Sequence, residues 1–152
     1  MGHRVFAYGT LMFPSIAHAV AGEAAPARSA RLDDHARHAL RDRAFPGAVP
    51  RPGSRIDGRV YEHLSAAALA RIDAFEGNLY RREQVWVRVG EEGRACEALV
   101  YLLRPRWRAL LLARDWSPEQ FRRDWLDRYL EICGEASPQR RPTPGPTAIG
   151  RR

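Results

Sequence analysis

The stretch RIDAFEGNLYRR places a carboxylate, Glu76, where a helix is about to stop. Leu69, Ile72 and Phe75 recur at helical spacing and already give that helix an apolar face, so packing does not account for Glu76. The last turn of a helix carries the negative end of its dipole, which disfavours an anion. Enclosed by Phe75, Tyr80 and a pocket wall, a carboxyl there would have its pKa pushed up, the property a general base uses to take a proton and return it. Left in solvent, the same glutamate would pair with Arg81 or Arg82, and spacing alone does not choose between these readings.

A second stretch, VFAYGTLM at residues 5–12, is an apolar run interrupted by Tyr8-Gly9-Thr10 just as it ends. Glycine at a strand end lets the backbone turn sharply and lets another group approach closely. The stretch is therefore either a plain turn or a binding loop.

These residues need elements to hold them. Residues 4–9 read as a first strand, followed by a short helix over 15–21 that Pro14 opens and Gly22 ends. Residues 28–41 read as two short strands or one bent one, and FPGAVPRPG, at 45–53, as a loop. RIDGRVYEH is a strand, and Ser65 caps the alanine-rich helix that Gly77 stops. Strands over 81–89 and 94–103 flank the hairpin turn GEEG. A helical turn over 106–113 precedes a final helix from Ser117 to about residue 132, with Phe121, Trp125, Leu126, Tyr129 and Ile132 on its apolar face. Strands and helices do not alternate as a parallel sheet requires, so the expected class is α+β. Residues 1–134 form one domain, and 135–152, rich in Pro and Arg, a flexible tail.

Composition removes several classes of function. The chain has 152 residues with 45% hydrophobic and 28% charged, an ordinary globular balance with room for one core. No run approaches the roughly 20 apolar residues that cross a bilayer, and MGHRVFAYGT lacks a signal peptide's apolar stretch, so a cytoplasmic protein is expected. Cys96 and Cys133 are far apart, without a CxxC or a neighbouring His pair, and read as two buried thiols. His35 and His38 point to opposite faces of a strand, and no metal site is expected. All 25 basic residues are Arg, for a net charge of +7, yet in RLDDHARHALRDR they alternate with acids, as on a solvated surface rather than a nucleic-acid platform. A loop with one Gly and no Lys is not a phosphate cradle, so no nucleotide cofactor is expected.

Taken in order, YGTL after the first strand, DGRVYEHLS, LARIDAFEGNLYRREQVWV, EALVYLL and WSPEQFRRDWLDRYL resemble the gamma-glutamylcyclotransferase superfamily, in its AIG2-like branch, over about residues 4–131. The resemblance implies a small mixed-strand β-barrel flanked by helices, with a cavity between the YGTL loop and the acidic helix end. It implies that backbone N–H groups of Tyr8, Gly9, Thr10 and Leu11 hold the gamma-glutamyl part of a substrate, that Glu76 is the catalytic acid/base, and that Tyr80 is a pocket wall. A side chain at Gly9 would then obstruct the approach of substrate. The implied reaction converts a gamma-glutamyl amine or peptide to 5-oxoproline and a free amine, with no cofactor. The alternative is a non-catalytic module of the same fold that binds a small metabolite. The leaving amine and the oligomeric state are not legible, and the loops that choose the amine are expected around 43–53 and 104–116.

Overall fold

The computed structural model describes residues 2–135. The C-terminal tail read from the sequence falls almost wholly outside the described residues.

Five strands close into a barrel in the order β1-β3-β2-β4-β5. They are β1 (His3–Ala7), β2 (Ala27–Ala39), β3 (Pro46–Leu64), β4 (Tyr80–Val89) and β5 (Arg94–Leu103). Neighbours are antiparallel except β1 and β5, which pair in parallel at Val5 and Leu99 and close the ring. Helices α1 (Pro14–Ala21), α2 (Ala66–Glu76), α3 (Pro118–Asp124) and α4 (Leu126–Glu135) flank the barrel. The architecture is the α+β barrel expected from the sequence.

The period-two alternation of the strands produces two apolar layers. Phe6, Leu32, Ile56, Val60, Val87, Val89 and Val100 fill the barrel. Val5, Ala7, Tyr61, Leu64, Tyr101 and Leu103 face outward and are covered by Ile16, Leu69, Ile72, Phe75, Phe121 and Tyr129 of the helices. At Gly58 a Cβ would lie 2.4 Å from the Ala7 carbonyl oxygen, so β1 and β3 pack this closely only around a glycine.

Local signals set the helix ends. Ser65 caps α2, its hydroxyl accepting the Ala68 N–H at 3.0 Å. Gly22 ends α1 at φ +76°, and Gly77 ends α2 at φ +74° with an extended ψ, from which a single 3-10 turn over Gly77–Leu79 leads into β4.

Three readings need correction. FPGAVPRPG is not a loop: Pro46 to Pro50 pair in register with Ala39 to His35, and β3 runs on to Leu64. Proline is tolerated because β1 pairs only with residues 59–64, leaving this half of β3 with β2 alone beside it. Residues 51–54 bulge out opposite Asp34, which takes φ +60° and accepts the Gly53 N–H at 3.0 Å, and this bulge is the bend in β2. The final helix is two, broken at Trp125 (φ −132°), a break no residue type there announces. Of the two thiols, Cys133 is buried but Cys96 only half-buried.

Candidate active site

The YGTL segment leaves β1 and winds into a tight turn over Thr10–Met12. Inside it the Met12 and Phe13 N–H groups are spent on the carbonyls of Gly9 (2.9 Å) and Thr10 (3.2 Å). The N–H groups of Gly9, Thr10 and Leu11 take no acceptor among the described residues, as befits the opening of a helical turn. Two distant side chains pin the turn by its carbonyls. Arg37 Nη1 donates to the Tyr8 carbonyl at 2.9 Å, and the Tyr61 hydroxyl donates to that of Leu11 at 2.7 Å.

Across from this turn stands the end of α2. Gly9, Thr10 and Leu11 share a small pocket, open on one side, with Glu76, Tyr80, Phe75, Phe45 and Tyr101. Every residue singled out in the sequence, Tyr8, Gly9, Thr10, Leu11, Glu76 and Tyr80, lines this one space. The Tyr8 hydroxyl donates to the Tyr101 carbonyl at 2.5 Å and that of Tyr80 to the Pro46 carbonyl at 2.6 Å. Both rings are thereby fixed as walls, and burial pushes both phenols well above their usual pKa, so they stay protonated.

The cations that would neutralise Glu76 are engaged elsewhere. Arg82 bonds to Asp73 at 2.6 Å and Arg81 pairs with Glu83. No salt bridge reaches Glu76 among the described residues, and its carboxyl, half-buried beside aromatic walls, is pushed up to about 8 by burial first and by the charge of Asp73 second. Asp73, one helical turn earlier, is exposed and satisfied, accepting the Tyr101 hydroxyl at 2.6 Å as well as Arg82. Two carboxyls on one helix face thus occupy opposite environments.

Several neighbours of the site were not singled out in the sequence. Arg37, read as part of a solvated charged surface, is mostly covered. It forks onto Asp115 at 2.8 and 3.0 Å, lies 5.4 Å from the Trp116 ring centroid, and holds Tyr8. Phe45 and Pro46, read as loop, are pocket walls. Tyr129, read as one more apolar position on the final helix, buries a hydroxyl with no partner among the described residues. Its pKa is raised by burial and then by the charge of Glu76, so that hydroxyl lies within the field of the carboxyl. Gly9 has a packing reason beside any functional one, because a Cβ there would sit 2.9 Å from Pro46 Cγ.

A donor-lined turn facing a half-buried carboxyl with no cation beside it can hold a carbonyl or carboxylate oxygen at one end of a small molecule and exchange a proton at the other.

A family model described as gamma-glutamyl cyclotransferase, AIG2-like, matches residues 5–125. An AIG2-like protein D of Arabidopsis thaliana is 31% identical over 85 residues, 56% of this chain and 56% of that protein. The chain spans about half the length of the first such relatives, although Protein AIG2 B of the same plant aligns over 86% of the chain and 77% of its own length at 25% identity. Among solved structures, the solution structure of an Arabidopsis thaliana protein superposes with a TM-score of 0.65 at 24% identity, covering 85% of this chain and 86% of the other. One described as a gamma-glutamyl cyclotransferase gives 0.58 at 18% identity over 87% and 86%.

Proposed function

The chain belongs to the gamma-glutamyl cyclotransferase, AIG2-like, family, and on that premise we propose that it cyclises the gamma-glutamyl group of an amine or peptide to 5-oxoproline and frees the amine, with Glu76 as general acid/base. The observation that carries this reading is the Glu76 carboxyl, half-buried in its pocket, without a cation among the described residues and raised to about 8, opposite three N–H groups that take no acceptor there.

The missing counter-ion is the α-ammonium of the substrate. Glu76 takes a proton from it, which frees the nitrogen lone pair. The nitrogen attacks the δ-carbonyl carbon and a five-membered ring closes. Glu76 passes the first proton to the departing nitrogen as its bond to that carbon breaks. It then carries the second proton, given up by the ring nitrogen, to the freed amine, which leaves as its ammonium form. Donors at Gly9, Thr10 and Leu11 meet the negative oxygen of the substrate, an effect of about 3 kcal/mol per donor where charge develops. A base with a pKa near 8 is about one-tenth ionised at pH 7 and half ionised near pH 8, so both of its forms are available for the two proton transfers.

Incubation with a panel of gamma-glutamyl compounds, followed by mass-spectrometric detection of 5-oxoproline, tests the reading. Product should form from at least one compound, with kcat/KM rising with pH up to about 8. No product from any compound would leave the fold as a binding module.

A further inference from the structure

Tyr8 and Gly9 share one peptide unit, and Arg37 grips that unit by its carbonyl. Arg37 Nη1 donates to the Tyr8 carbonyl at 2.9 Å and lies 3.9 Å from the Met12 sulfur, so a single guanidinium touches both ends of the turn. The peptide is trans and planar, which points its N–H opposite to its carbonyl. Whatever fixes the Tyr8 carbonyl therefore fixes the direction of the Gly9 N–H, one of the three donors that take no acceptor among the described residues.

Arg37 is itself held. The two carboxylate oxygens of Asp115 accept its Nε at 2.8 Å and its Nη2 at 3.0 Å, a planar two-pronged match. The Trp116 ring lies against the guanidinium and is anchored by its indole N–H, which donates to the Ala44 carbonyl at 2.7 Å. Asp115 follows a segment stitched to the end of β2, where the Ala39 N–H donates to the Arg114 carbonyl at 3.0 Å and the Leu112 N–H to the Ala39 carbonyl at 2.9 Å. Asp115 is exposed, and an ion pair with an exposed partner contributes little to stability. The pair alone does not explain why Arg37, its side chain only 13% exposed, is folded inward.

Resting on the function proposed above, we infer that Arg37 is a positioning residue for the reaction: held by Asp115 and Trp116, it aims the Gly9 N–H at the substrate oxygen and makes that N–H a stronger donor. A charge-assisted bond to the carbonyl draws electron density from the nitrogen of the same peptide, and hydrogen bonds in such a chain strengthen one another. Arg37 touches no reacting atom and exchanges no proton. Without it the turn still forms, because the Met12 and Phe13 N–H bonds and the Tyr61 hydroxyl remain, but the peptide plane at its entrance is free to rotate.

The test compares Arg37→Met, Arg37→Lys and Asp115→Asn with Arg71→Met. Arg71 is the control because it too donates to a main-chain carbonyl, that of Ala21 at 2.9 Å, but at the end of α1 and outside the Glu76 pocket. Arg37→Met should lower kcat/KM for an accepted gamma-glutamyl compound by about 10-fold or more at temperatures where it is folded, without moving the pH midpoint set by Glu76. Asp115→Asn keeps one oxygen for the guanidinium, and Arg37→Lys keeps a cation without the fork, so both should fall between Arg37→Met and the parent. Arg71→Met should keep the parental kcat/KM. Parental kcat/KM in Arg37→Met, an equal loss in Arg71→Met, or a shifted midpoint would overturn the proposal. Residual dipolar couplings of the Gly9, Thr10 and Leu11 N–H bonds report their directions without turnover. In Arg37→Met the Gly9 coupling should change more than the other two, and an unchanged Gly9 coupling refutes the positioning role. Should the parent turn over no compound, the cyclotransferase reading fails, and the couplings alone decide whether Arg37 sets the direction of the Gly9 N–H.

Discussion

At the start of α2 the carboxylate of Glu23 accepts the Ser65 N–H at 3.0 Å and the Ser65 hydroxyl at 2.7 Å, whereas at its end Glu76 has neither a cation nor a hydrogen bond among the described residues. The pKa of Glu23 is lowered by those bonds, and that of Glu76 is raised by burial. Glu23 lies at the favourable, positive pole of the helix and Glu76 at the unfavourable one. The same eleven-residue helix is therefore anchored at its beginning and charged with an unfavourable group at its end. Under the proposed mechanism, stability is given up where an unpaired carboxyl would act, and the anchored end keeps that carboxyl in place.

The sharpest way to break this contrast is Glu76→Gln. The amide keeps the size of the side chain but accepts no proton, so turnover should fall by roughly 10²-fold or more. Full activity would refute the mechanism. Stability should move the other way. A carboxyl whose folded pKa is near 8 lowers stability progressively as pH rises from the unfolded value of about 4.3 to about 8, because the unfolded chain ionises first. The variant should therefore melt clearly above the parent at pH 8 and level with it near pH 4. An offset independent of pH would mean that Glu76 is not desolvated.

How much of this was legible differs between the two faces of the pocket. Both ends of α2 could be read because their signals are local: the Ser65 cap, the 69–72–75 apolar spacing and the glycine at 77 lie within thirteen residues. The YGTL turn was legible for the same reason. What holds these parts together was not, because it comes from far along the chain. Arg37 reaches Tyr8 across 29 residues, Tyr80 reaches Pro46 across 34 and Tyr8 reaches Tyr101 across 93. Arg37 looked like one charge among many, since no local pattern shows which arginine of RLDDHARHALRDR folds inward. Pro46 and Pro50 looked like loop, since the unpaired edge that tolerates them exists only once the barrel closes.

Ser65→Ala attacks the anchored end. Losing the cap and both bonds to or from the hydroxyl should cost about 1 kcal/mol, or about 4 °C in melting temperature, with kcat unchanged at temperatures where the fold is intact. A loss of kcat larger than the loss of folded protein would show that the two ends of α2 are not separable.

Asp73→Asn sharpens the other end. The amide oxygen still accepts the Tyr101 hydroxyl, but the negative charge that helps to raise Glu76 disappears. The midpoint of the rise in kcat/KM should move to lower pH. A midpoint that stays put would leave burial as the whole cause of the shift.

Glu23→Gln should give the smallest effect, because one amide oxygen still accepts one of the two Ser65 hydrogen bonds and the helix keeps its cap. Its value lies in the sign of its pH dependence. Glu23 has a folded pKa below its unfolded one, so the stabilisation it provides is complete above the unfolded pKa and disappears as pH falls through the lower, folded value. The parent should out-melt Glu23→Gln at pH 7, and the gap should close in acid. For Glu76→Gln the gap opens towards alkaline pH and in favour of the variant. Glu23 lines a cavity beside α1 and not the Glu76 pocket, so turnover should not change. Melting curves of both variants and the parent at pH 3, 5, 7 and 8.5 read the two ends of one helix independently. Gaps of the same sign, or a Glu23→Gln gap that persists undiminished at pH 3, would remove the electrostatic contrast between them.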